Sequence, residues 1–161
     1  MKIHTQKLYI LNAFIKSDRK ILLSLNTEVE DITPTIKAWI RNIHYTLDKS
    51  NNGVGLAAPQ VGLNKRIFVI HYSGSYMTVI NPVILMRGGE STENEGCLSV
   101  PGIITPILRW ETIRVAYTNE KGERFEDVRI DGFLARIFQH EYDHLEGILI
   151  LDFAEGGGMV I

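Results

Sequence analysis

TIRVAYTNEKGERFEDVRIDGFLARIFQHEYDHL, residues 112–145, is the stretch that decides how this chain folds. Residues 112–118 alternate apolar and polar side chains in strand fashion. Asn119-Glu120-Lys121-Gly122 supplies a turn, and residues 124–130 return, so the two runs form a hairpin. Asp131-Gly132 then opens a helix over residues 133–145, which Gly147 stops. That helix carries Gln139-His140-Glu141-Tyr142-Asp143-His144. Positions four apart are a little over one helical turn apart, so His140 and His144 share a face. Two imidazoles so placed can hold one metal ion, with Glu141 carried beside it as a general base.

Upstream the same mixture continues. Thr33 caps a helix over residues 33–49, Pro34 suits its first turn, and Ile36, Ile40, Ile43 and Leu47 recur at helical spacing. Ser50-Asn51-Asn52-Gly53 ends it. Residues 66–72 and 76–86 read as strands joined through Ser73-Gly74-Ser75. Hairpins between helices predict an α+β fold, with antiparallel or mixed sheets packed around a central helix that carries His-Glu-x-x-His.

The chain has 161 residues, which suits one domain over residues 1–161, with residues 153–161 expected as a flexible tail. Hydrophobic residues are 45% and charged residues 22%, which excludes a disordered or collagen-like chain. A net charge of −2 leaves no basic stripe for nucleic acid. The apolar run 8–15 is interrupted by Asn12 and followed by Lys16, Asp18, Arg19 and Lys20, unlike a secretory leader. No apolar run approaches the ~20 residues of a membrane helix. Cys97 is the sole cysteine, so no internal disulfide can form. A cytoplasmic, reducing location is expected, and a monomer.

A tetrahedral catalytic ion needs a third protein ligand. Position 150, where one class of His-Glu-x-x-His enzymes places a third His, is Ile150. The acids after His144 (Glu146, Asp152 and Glu155) sit close to the motif or in the tail, so the ligand should come from upstream. Cys97, in Glu95-Gly96-Cys97-Leu98-Ser99, is the best candidate because a thiolate suits borderline and soft ions. His4, His44 and His71 are rivals. The segment Gly53-Val54-Gly55-Leu56-Ala57-Ala58-Pro59-Gln60 superficially fits a dinucleotide fingerprint, but no strand precedes it and no helix follows. It reads instead as exposed backbone for pairing with an extended ligand, with Gln60 offering an amide donor.

Taken together, the segments 53–60, 95–99 and 139–144 resemble the peptide deformylase family, and the likeness extends over about residues 18 to 152. That resemblance implies removal of the formyl group from N-formylmethionine on nascent polypeptides, releasing formate. It implies Cys97, His140 and His144 as ligands of Fe2+, with Zn2+, Ni2+ or Co2+ as substitutes. Water activated by the ion would attack the formyl carbon, with Glu141 as base and then acid. Gln60 and the Leu98 N–H would stabilise the oxyanion. Gly53, Val54, Gly55, Glu95 and Gly96 would contact the substrate, and Phe133 and Ile137 would line a methionine pocket.

This chain also departs from the family. Ile104 stands where many members carry Arg or Tyr, and Arg136 where an aliphatic residue is frequent. The first seventeen residues lack the Pro-rich opening, and no long C-terminal helix follows Asp152-Phe153, so ribosome contact is expected to be weak. Two other readings compete. One is a different His-Glu-x-x-His peptidase, which would cut a blocked internal peptide. The other is an inactive protein that binds formylated chains without releasing formate.

Overall fold

The structure, a computed structural model, describes residues 4–154. Helix α1 (Lys16–Leu22) and helix α2 (Pro34–Asp48) precede strand β1 (Gly55–Ala57) and a 3-10 turn (Ala58–Val61). Strands β2 (Ile67–Tyr72), β3 (Ser75–Cys97), β4 (Val100–Thr118) and β5 (Arg124–Asp131) follow, then helices α3 (Gly132–Leu145) and α4 (Ile150–Ala154). The strands form one sheet in chain order, β1-β2-β3-β4-β5, with every neighbouring pair antiparallel. Among the described residues the only parallel pairing is an isolated bridge between Thr27 and Lys65. The sheet is therefore antiparallel, and the mixed alternative falls away.

Two helices sandwich the first strands, and β2 shows why. Its Ile67 and Val69 pack with Ile36, Ile40, Ile43 and Leu47 of α2. The alternate residues Phe68 and Ile70 pack with Ala135, Ile137 and Phe138 of α3. Strand periodicity of two thus serves two cores. The start of α2 is as read: Thr33 Oγ1 accepts a hydrogen bond from Ile36 N at 3.2 Å.

Both long strands exceed their expected bounds. β3 runs on from 86 to Cys97, and β4 begins at Val100 instead of 112. Residues 87–96, rich in Gly and Glu, carry no strand pattern of their own. They are held by pairing with β4, from Arg87 opposite Ile113 to Gly96 opposite Ile104. The result is a long hairpin arm whose tip is Cys97-Leu98-Ser99-Val100, with Cys97 opposite Val100. The arm packs over a third core of Leu11, Ala13 and Leu22 with Val100, Ile107, Leu149 and Ile150.

Helices α1 and α4 were not foreseen. Phe153 and Ala154, expected in the tail, belong to α4, and the rest of that tail lies outside the described residues. The glycine segment is also different from expectation. Gly55, Leu56 and Ala57 are a buried strand paired to Ile70, Val69 and Phe68, not an exposed loop. β1 nevertheless lies at the edge of the sheet, so among the described residues its outer side carries no strand.

Candidate active site

The fold brings the arm tip against α3. One donor atom each from Cys97, His140 and His144 lies within 4.8 Å of the others, and Cys97 Sγ is 3.4 Å from His144 Nε2. The rivals are elsewhere. His44 Nδ1 and His71 Nε2 are 2.7 Å apart between α2 and β2, and His4 is exposed.

The second nitrogen of His140 is already committed. Its Nδ1 lies 2.9 Å from Glu95 Oε2, which leaves Nε2 to face the other donors. Glu95 was expected to contact substrate. Its carboxylate is instead bound on every side, by Arg109 through Nε (2.8 Å) and Nη2 (2.9 Å) and by Arg136 Nη1 (2.8 Å). Arg109, only 1% exposed, also donates to Asp143. Burial alone would raise the Glu95 pKa, but hydrogen bonds from Arg109 and His140 outweigh it and hold the carboxyl well below the usual range. Two guanidinium groups facing two carboxylates make this a balanced buried cluster.

Arg136 explains its own departure from the aliphatic pattern. Besides Glu95 it donates to Ile107 O and Ser91 O, tying α3 to both strands of the arm. Arg109 and Asp143 escaped the sequence reading. A lone Arg inside the apolar run Ile107-Leu108-Arg109-Trp110 was the one available signal.

Glu141 is 3% exposed, and its Oε2 has no hydrogen-bond partner among the described residues. Burial, with His140 opposing, pushes its pKa up to about 7. Gly55 makes room for it: a Cβ there would lie 2.8 Å from Glu141 Cγ and Cδ. Gln60 is equally buried. Its Oε1 accepts from Ala57 N at 2.9 Å, which aims Nε2 at Ser99 Oγ (3.2 Å) and Cys97 Sγ (3.6 Å).

These groups line a cleft of about 610 Å³. One wall is Gly53, Val54 and Gly55 with Gln60. The facing wall is Glu95, Gly96, Cys97 and Leu98, and α3 contributes Phe133, Ile137, His140 and Glu141. His144, 2% exposed, is the one expected site residue outside the lining. Ile104 lines the outer part of the cleft and is 73% exposed. No helix among the described residues is long and apolar enough to cross a membrane.

Such an arrangement places a cysteine sulfur, two imidazoles, a buried carboxyl group and an amide donor around one opening, which is the equipment of a hydrolytic metal site. Comparison with known proteins agrees with it. The model of the polypeptide deformylase family matches residues 12–157. A peptide deformylase of Desulfitobacterium hafniense is 43% identical over 136 residues, covering 84% of this chain and 89% of the relative. The crystal structure of peptide deformylase from Thermotoga maritima superposes with a TM-score of 0.84 at 37% identity, covering 91% of this chain and 97% of that one. A class I type b peptide deformylase from Acinetobacter baumannii, solved with Met-Ala-Ser bound, gives 0.82 at 30% identity, covering 92% and 99%. The chain belongs to the polypeptide deformylase family, hydrolases that act on formyl-methionyl peptides.

Proposed function

We propose that this chain removes the formyl group from the initiator methionine of newly made polypeptides in the cytoplasm, as a monomer with one catalytic domain. The observation that carries the reading is the convergence of Cys97, His140 and His144 on one point beside the buried Glu141. A cysteine sulfur and two imidazoles suit a borderline divalent ion. Glu95 on His140 Nδ1 supplies the outer brace that metal-binding histidines require. These three residues would hold the ion, Fe2+ in the cell, with Zn2+, Ni2+ or Co2+ as substitutes. When bound, such an ion lowers the pKa of water towards about 7 and polarises a carbonyl.

Everything else is supplied by the chain. Glu141, poised near neutrality by burial, accepts a proton from the attacking water. It then delivers that proton to the amine as the formyl C–N bond breaks, giving formate and a free N-terminus. Gln60 Nε2, fixed through its own Oε1, and the Leu98 N–H stabilise the oxyanion as the formyl carbon becomes tetrahedral. Phe133 and Ile137 receive the methionine side chain. Gly53, Val54 and Gly55 pair with the peptide along the outer edge of β1, and Gly96 leaves room opposite. Glu95 acts by orienting His140. The Met-Ala-Ser bound by the Acinetobacter relative supports a peptide beginning with methionine as the occupant.

Protein purified anaerobically and assayed for metal should release formate from formyl-Met-Ala-Ser and leave a blocked internal peptide uncut. Bound metal without formate release would overturn the reading in favour of a binding protein.

A further inference from the structure

Three consecutive backbone N–H groups in the N-terminal segment are used in an unusual way. Leu11 N donates to Gln60 O at 2.8 Å, and Ala13 N donates to Ser99 O at 2.8 Å. Between them, Asn12 N donates to the carboxylate of Asp18 at 2.9 Å. The same Asp18 oxygen accepts from the Tyr9 hydroxyl at 3.1 Å. Asp18 is buried on α1, and Leu11 and Ala13 are buried in the core beneath the arm tip. Residues 9–13 therefore form a strap across the back of the site. One end holds the turn that carries Gln60, and the other holds the arm tip that carries Leu98 and Ser99. The two are also joined through side chains, by Gln60 Nε2 on Ser99 Oγ and Cys97 Sγ.

We propose that Asp18 is a positioning residue for the reaction: by fixing the strap it sets the distance between Gln60 and the arm tip, and so the aim of the oxyanion donors. This rests on the reading of Gln60 and Leu98 as those donors. Donors of this kind act in the transition state more than in the ground state, so their misplacement falls on kcat and not on KM. A shift of a fraction of an ångström costs on the order of tenfold in rate, given that about 1 Å can cost 10²-fold.

The test uses the full chain loaded with metal, in a double-mutant cycle. Asp18→Ala should lower kcat about tenfold with KM and metal content unchanged, and Asp18→Asn should recover most of the loss because it retains an acceptor oxygen. In a Gln60→Ala background, Asp18→Ala should cost little further. Amide exchange at Leu11 and Ala13 should quicken in Asp18→Ala, which reads the strap independently of turnover. If the alanine variant does not fold, Asp18→Glu carries the same comparison with a smaller loss. An equal effect of Asp18→Ala in both backgrounds overturns the proposal, as does a lowered Tm with unchanged kcat. Full activity of Gln60→Ala alone overturns the oxyanion reading itself, and is seen separately.

Discussion

Replacing Gly55 by alanine tests the site's tightest contact. The added Cβ would overlap Glu141 Oε1 and lie 2.8 Å from Cγ and Cδ of the same side chain. Carbon atoms in contact sit about 3.5–4.0 Å apart, so the carboxylate must withdraw by roughly 1 Å. Glu141 is 3% exposed in close-packed surroundings, and cannot withdraw without losing its position over the cleft. A reacting group misplaced by about 1 Å costs on the order of 10²-fold, so kcat should fall by about that factor. Overpacking costs about 1–3 kcal/mol, while alanine's lower unfolded-state entropy returns about 0.4–1 kcal/mol. The net loss should lower Tm by only a few degrees, about 2–8 °C, leaving folded protein to assay. Formate release at saturating formyl-Met peptide, beside a thermal melt and metal analysis, reads both effects. Gly88→Ala is the control, because its Cβ would meet nothing within 4 Å and it lies outside the cleft lining. Wild-type kcat in folded, metal-loaded Gly55→Ala would refute the placement of Glu141.

Other perturbations follow from the buried charges. Arg109→Met strands Asp143 and leaves Glu95 with only Arg136 and His140, so a denaturant titration should show a loss of about 3–5 kcal/mol. Near-wild-type stability would show that the cluster is not balanced as described. Glu95→Gln weakens the brace on His140 Nδ1, and chelator competition should report metal affinity down by about 10–100-fold. His44 has its pKa lowered to about 4, by burial first and by His71 second. The unfolded chain then binds a proton below about pH 6.5 that the folded chain refuses until about pH 4. Stability should therefore fall as pH drops through that window, by roughly 1–2 kcal/mol after allowing for partial exposure. His44→Gln should flatten that part of a pH series of melts.

What could be read beforehand was whatever signals locally. Thr33-Pro34 and the spacing of Ile36, Ile40, Ile43 and Leu47 fix α2 without help from the rest of the chain. The hairpin over 112–130 has its own turn residues, and His140, Glu141 and His144 share one helix. The outer half of β3 was hidden because residues 87–96 have no apolar alternation, and only β4 across from them makes them a strand. The partners of the Glu95 carboxylate were hidden for a similar reason. Arg109, Arg136 and His140 are 14, 41 and 45 residues away, and no local pattern records such a meeting. The strap at residues 9–13 was equally silent, since its contribution is made by backbone N–H groups that any residue except proline supplies. Cys97 could be nominated by chemistry, but only the fold of the arm separates it from His44 and His71.

In the proposed mechanism Glu141 moves the proton while Cys97, His140 and His144 hold the ion. Glu141→Gln separates those two roles, because the amide fills the same space and cannot accept the proton. Anaerobically prepared Glu141→Gln should carry metal at the wild-type ratio and lose at least about 10²–10⁴-fold in formate release. Metal retained with wild-type turnover would contradict the account.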